Sequence, residues 1–315
     1  MTDKDGATSA ALGVVLASLR VRCSFHCFGR FRSPWSVAIT GEGVPAIHYV
    51  AEGRCAVEFE GEAERLWLER GDVLFMRCGV PRIVHDDSNA TPIALDEAVA
   101  IGSSPGAVVF EVGGQGERAQ VLGAGVALAG PSRRVVLDAL PERFVLCTGN
   151  TRTMPAMVRQ LECLTEEAEQ PGPGSRQVIG RITEVLFLLI VRAYAEQEQL
   201  EGWFEAARSP QIGAVLGVIH NELERDWTVH SLARFAGMSR SSFSAKFQHL
   251  IGVTPLRYLT GVRMDHAVEL LTSSQLNVAT IAERVGYGSE PAFATAFKRW
   301  HGSPPGVFRR ARLQP

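Results

Sequence analysis

Apolar positions fall into three regimes along the chain. Residues 8–20 (TSAALGVVLASLR) space their apolar side chains at helical intervals with a polar face opposite, which predicts a short docking helix. From about 21 to 147 the apolar runs are short and broken by Gly and Pro: WSVAIT, AIHYVAEG, CAVEFEG, RLWLERGDVLFM, RIVHD and GAVVFEVGG. Such runs between turn signals predict an antiparallel sandwich or barrel. From about 152 to 205 the period is helical, and segments 152–169 and 176–199 flank a loop at Pro171-Gly172-Pro173-Gly174. The second of these helices is apolar nearly all round (VLFLLIV), so both faces need cover, from the sheet domain alone or from a second subunit.

After a short segment near 203–212 the chain repeats itself. LARFAGMSRSSFSAKFQHLIGVTP (232–255) aligns with IAERVGYGSEPAFATAFKRWHGSPP (281–305), one residue being inserted in the second turn. In each copy a helix with a small residue, Ala233 or Ala282, runs to Gly237 or Gly286, where glycine suits a left-handed position. Ser239 or Ser289 then caps the next helix, and Pro291 lies in a first turn, where a missing N–H is tolerated. Phe243 and Phe247, like Phe293 and Phe297, stand one turn apart and anchor their helix. Helix, glycine turn, capped helix is the helix-turn-helix pattern, and it occurs twice.

These residues, with WTVHSLARFAGMSRSSFSAKF, TPLRYLTGVRMDHAVELL and VATIAERVGYGSEPAFATAFKRWHGSPPGVFRR, carry a resemblance to the DNA-binding domain of AraC/XylS transcription regulators over 211–315. SPWSVAI, HYVAEGRCAVEF and LERGDVLFM resemble the cupin-type effector domain of one subgroup. The resemblance implies an α+β chain: a cupin-like antiparallel barrel sensing an effector (1–147), a helical dimerisation segment (148–205) and an all-α domain with two helix-turn-helix units (206–315). A linking helix at about 255–272 would join units that enter successive major grooves. It also implies a homodimer that binds double-stranded promoter or operator DNA, responds to a small molecule and meets RNA polymerase if it activates.

Helical geometry sets Ser241, Ala245 and Gln248 opposite the core face of Phe243, Phe247 and Leu250, with Ser244 at its edge. In the second copy Pro291, Thr295 and Lys298 point away from Phe293, Phe297 and Trp300. The resemblance places base reading at Ser241, Ser244, Ala245, Glu290, Pro291 and Thr295. These are small side chains where Arg or Gln is common, so direct hydrogen bonds are few and DNA shape and water share the readout. Arg240, Lys246, Arg257, Lys298 and Arg299 are the phosphate candidates.

Charge sharpens this division. The 315 residues carry a net charge of -2, which by itself argues against a polyanion partner. Residues 211–315, however, hold 12 Lys+Arg against 7 Asp+Glu, a net of +5, leaving 20 against 27, or -7, for the rest. A basic third joined to an acidic remainder suits one domain for DNA and another with a different task. With 46% hydrophobic residues, disordered and fibrous classes are excluded. The N-terminus lacks a basic leader, and the longest apolar run, Val185 to Val191, is short of the roughly 20 residues a bilayer needs, so a soluble cytoplasmic protein is expected.

Six scattered cysteines suit reduced thiols. Aligned on the cupin pattern, the slots of the family's acidic metal ligand hold Pro45 and Ala46, and a usual His position holds Arg82. The metal set is not kept, so no cofactor and no enzyme activity are expected; a cupin enzyme fused to a DNA-binding module is the disfavoured reading. His48 and Arg82 are the effector-pocket candidates, Arg82 favouring an anion, while His85 stands alone on a strand. Cys23, His26 and Cys27, beside Cys55 and Cys78, leave open a thiol-redox or soft-metal sensor, with 23 and 27 sharing a face in helix or strand.

Overall fold

The computed structural model describes residues 11–41, 43–102, 109–130, 132–147, 154–197 and 200–313. The start of the expected N-terminal helix (8–10), the start of GAVVFEVGG and the end of the expected helix 176–199 lie outside them.

Residues 11–17 form helix α1. Among the described residues eleven strands follow, most of them in the region where the apolar runs are short: β1 (Arg20–Arg32), β2 (Ser36–Ile39), β3 (Ala46–Glu52), β4 (Arg54–Phe59), β5 (Leu66–Glu69), β6 (Val73–Met76), β7 (Arg82–His85), β8 (Ile93–Ala94), β9 (Val109–Gly113), β10 (Arg118–Ala129) and β11 (Arg143–Leu146). Two short helices that the alternation does not announce interrupt them, α2 (Leu95–Gly102) and α3 (Arg133–Ala139). The strands make two sheets, ordered β11-β6-β3-β10-β1-β9 and β5-β4-β7-β2-β8. Pairing is largely antiparallel, with β1–β9 and β2–β8 parallel. The inward residues of both sheets fill one core, including Phe31, Val50, Val57, Leu74 and Val84, joined by Trp35 from the turn before β2.

The helical hairpin α4 (Met154–Glu169) and α5 (Ser175–Ala195) covers the outer face of the larger sheet. The Phe187 ring of α5 lies 6.1 Å from that of Phe75 and the Tyr194 ring 4.7 Å from that of Phe144, both pairs tilted. Those two strand residues alternate with the core-facing Leu74, Met76 and Val145, so they must point outward. Val178 and Val185, two turns apart on α5, remain more than 40% exposed.

The C-terminal helices are α6 (Gly202–Arg208), α7 (Pro210–Asn221), α8 (Val229–Phe235), α9 (Arg240–Ile251), α10 (Pro255–Ser273), α11 (Val278–Arg284), α12 (Glu290–His301) and α13 (Pro305–Leu313). The segment near 203–212 is thus two helices, divided where Ser209 caps the second and Pro210 opens it. Helix α10 is the linking helix.

Contacts divide the chain across the boundaries suggested by sequence. One compact unit comprises Val21–Ala127 and Leu140–Glu198, the sheets with their helical hairpin. The other comprises Met1–Arg20, Leu128–Ala139 and Gln199–Pro315. In this second unit α1 approaches α7 closely enough that a Cβ on Gly217 would lie 3.9 Å from Ala11. Ser18 donates to Ser132 at 2.5 Å, Ser132 lies 3.4 Å from His220 Nδ1, and His220 Nε2 lies 2.9 Å from the Tyr258 hydroxyl, which also accepts from Trp203 Nε1.

Candidate nucleic-acid interface and barrel interior

Both helix-turn-helix units are assembled by local chemistry. Thr228 accepts from the Ser231 amide in a reciprocal capping box that starts α8, and the Ser239 hydroxyl accepts from the Ser242 amide to start α9. Asn277 and Ser289 do the same for α11 and α12. Gly237 (φ 65°) makes the first turn and Gly286 (φ 77°) the second, a region where a side chain strains the backbone. Phe243, Phe247, Phe293 and Phe297 are fully buried. The last two join Met264, Leu271, Ile281 and Val285 in a core that α10 shares with the second unit.

Anchoring those rings inward leaves the opposite faces of α9 and α12 exposed. Ser241, Ala245 and Gln248 are exposed on α9, and Ser244 is half-buried at its edge. The Ser241 hydroxyl lies 3.2 Å from that of Ser239 at the cap. Glu290, Pro291 and Thr295 are exposed on α12, where the Thr295 hydroxyl donates to the Pro291 carbonyl at 2.9 Å. Of the cations, Arg240, Arg257, Lys298 and Arg299 are exposed. Lys246 is half-buried and its ammonium donates to Gln211 at 2.8 Å, so it stands partly engaged within the protein. Arg234 and Arg284 are likewise exposed, in the last turns of α8 and α11, although neither motif nor helical face singles them out.

Residues 232–311 match the model of a family described as Helix-turn-helix domain, and residues 11–196 match one described as Cupin. A putative AraC-like transcription regulator of Streptomyces lividans is 28% identical over 89% of this chain and 91% of its own length. The chain belongs to the AraC family of transcription regulators. The HTH-type transcriptional regulator AlkR of Acinetobacter baylyi is 37% identical over 56% of this AraC-family chain and 58% of its own. A solved DNA-binding domain of AdpA, in complex with a target DNA, is 34% identical over 34% of this chain and 98% of its own, at a TM-score of 0.32.

In the cupin-like domain of this AraC-family regulator, Arg82 and His48 come together. Arg82 Nε donates to His48 Nε2 at 2.7 Å and its Nη1 donates to the Val80 carbonyl at 2.8 Å, both side chains being at least 95% buried. Among the described residues no carboxylate pairs with Arg82. Burial lowers its pKa to about 10 and, with the guanidinium beside it, holds His48 neutral, well below its usual value. Arg82 thus occupies the barrel interior where the cupin pattern places a metal-binding His. His85 is held elsewhere, its Nδ1 accepting from the Asp87 amide and its Nε2 3.3 Å from Glu58.

The cysteine candidates do not converge. Cys23 lies 3.5 Å from His26 Nδ1, and its amide donates to Glu184 of α5 on the outer face of the sheet. Cys27 faces inward, where a Cβ on Gly123 would meet its sulfur at 3.3 Å. The shared face expected of 23 and 27 is therefore absent: β1 does not keep a two-residue alternation between them. Cys55 is in the core and Cys78 is exposed in a loop after β6. Among the described residues no three His, Cys, Asp or Glu side chains gather as metal ligands. Burial pushes Cys23 and Cys27 up to about 11 and Cys55 up to about 12, the opposite of an activated thiolate. No helix among the described residues is long and apolar enough to cross a membrane.

Proposed function

We propose that this regulator lays α9 and α12 into successive major grooves of operator DNA, as a cytoplasmic, non-catalytic homodimer whose barrel responds to a small molecule. The observation that carries the reading is the pair of exposed polar faces on two capped helices whose aromatic faces are buried. Ser241, Ser244, Ala245, Glu290, Pro291 and Thr295 face the bases. The hydroxyls have lone pairs for base edges, the Ala and Thr methyls suit a thymine methyl, and Glu290 can accept from a cytosine amino group. Arg240, Arg257, Lys298 and Arg299, with Lys246 once released from Gln211, meet phosphates.

The effector candidate is the interior around Arg82 and His48, where an acidic ligand would supply a counter-charge that no carboxylate among the described residues provides. RNA polymerase is the further partner if the protein activates. Salt titrations on duplexes selected by the protein from a random library test the DNA reading. Arg240→Ala is expected to weaken every duplex alike and reduce the salt slope by about one. Ser244→Ala is expected to alter base preference and leave the slope unchanged. An unaltered slope for Arg240→Ala removes that residue from the phosphate contacts.

A further inference from the structure

The two helix-turn-helix units are joined by α10 and also by a second connection beside it. Arg263, near the middle of α10, donates through Nε to the Leu223 carbonyl at 2.9 Å and through Nη2 to the Arg225 carbonyl at 2.7 Å. Those carbonyls follow α7 and lead into the first unit. The same guanidinium also meets the turn of the second helix-turn-helix unit. A Cβ on Gly286 would lie 2.4 Å from Arg263 Nη2 and 2.5 Å from the Leu223 oxygen, and the Tyr287 ring centre is 5.9 Å from the Arg263 carbon. Only a glycine lets the second turn come this close to both groups.

Either connection alone would leave freedom. A single helix between two domains resists stretching but bends and twists along its length. A contact placed off its axis removes that twist. The planar fork of Arg suits the task because it reaches two carbonyls while presenting a face to an aromatic ring. Arg309 of α13 makes a comparable pair of bonds, to the Leu271 and Leu276 carbonyls, but it closes the second unit on α10 and joins no further unit.

We propose that Arg263 is a positioning residue that fixes the angle and separation of α9 and α12, and so sets the spacing between the two DNA segments that one chain reads. It touches no base. The assignment rests on the two-helix reading of DNA given above. With α9 and α12 held rigidly, binding of the first segment presents the second helix at high effective concentration. Loosening the seam lowers that concentration and widens the range of spacings accepted.

The test uses the full chain and a duplex selected by it from a random library. Derivatives of that duplex have either segment scrambled, or one base pair inserted or deleted between the segments. Arg263→Ala, Arg263→Lys and Tyr287→Leu are compared with the unaltered protein; the last two retain a charge or both carbonyl bonds and so keep the fold within reach.

The expected result for Arg263→Ala is a loss of ten-fold or more on the intact duplex. Its affinity for either scrambled duplex and its salt slope should be unchanged, and the penalty for an altered spacing should fall several-fold. Arg263→Lys, which cannot bridge both carbonyls, should follow it in part. An equal loss on intact and scrambled duplexes, or an undiminished spacing penalty in all variants, overturns the assignment. If the unaltered protein is itself indifferent to one segment, the two-helix reading fails first.

Discussion

At the scale of single residues, the buried ionisable groups give this protein a pH response of two opposing signs. His220, set between Ser132 and the Tyr258 hydroxyl, has its pKa lowered by burial to about 4, whereas Asp265 on α10, also driven by burial, is raised to about 6. Below pH 6.5 the unfolded chain protonates its histidine before the folded one does, so His220 lowers stability as pH falls toward 4. Asp265 takes its proton in the folded state first, so it raises stability as pH falls from 6 toward its ordinary value. Each effect is about 3 kcal/mol at 1.36 kcal/mol per unit, and in the parent they largely cancel. His220→Gln should therefore gain about 3 kcal/mol relative to the parent between pH 7 and pH 4, and Asp265→Asn should lose a similar amount. Urea melts at the two pH values measure both, and parallel curves for all three proteins would refute the assignment. His48 belongs with His220 in sign, because its Nε2 must stay unprotonated to accept from Arg82.

Among elements, α12 shows most clearly how much of the site can be read from sequence. Its cap, first-turn proline, buried aromatic pair and exposed face follow from spacing alone, because every one of them is a local consequence of helical geometry. Ser289→Ala should cost about 1 kcal/mol, whereas Phe297→Ala should cost about 3–5 kcal/mol and abolish DNA binding with the fold. Chemical denaturation beside DNA titration distinguishes the two. The barrel was legible as alternating short runs. Its helices α2 and α3 were not, since seven or eight residues give periodicity little room. Pairings between residues distant in sequence escaped as well. Nothing in VRMDH marks Arg263 as the partner of Leu223, and nothing in GRCAV announces that Cys55 ends in the core while Cys23 faces a helix. The four-residue separation of Cys23 and Cys27 points to a shared face that an irregular strand removes.

For the molecule as a whole, the exposed Val178 and Val185 on α5 bear on assembly. If this face pairs with its copy, Val178→Glu with Val185→Glu should turn a dimer into a monomer by sedimentation and weaken binding to two-fold operators. Folding of the chain and affinity for a single site should survive, and an unchanged dimer would place the interface elsewhere. The charge division has a physical counterpart too. The +5 stretch also exposes Arg240, Arg257, Lys298 and Arg299 on α9, α10 and α12, so a near-neutral chain carries a locally attractive face for a polyanion. The second compact unit is interleaved with the first in sequence: α1 and the segment around α3 lie far ahead of the helices they join. During synthesis α1 is made early in this sequence, yet Gly217 against it and His220 behind Ser132 come about 200 residues later. At the roughly 5–20 residues per second of translation, that is about 10–40 seconds in which the sheets have time to form and α1 has no seat. The DNA-binding half is thus completed only after the cupin-like half, and a nascent chain holds its folded sheets before it can bind DNA.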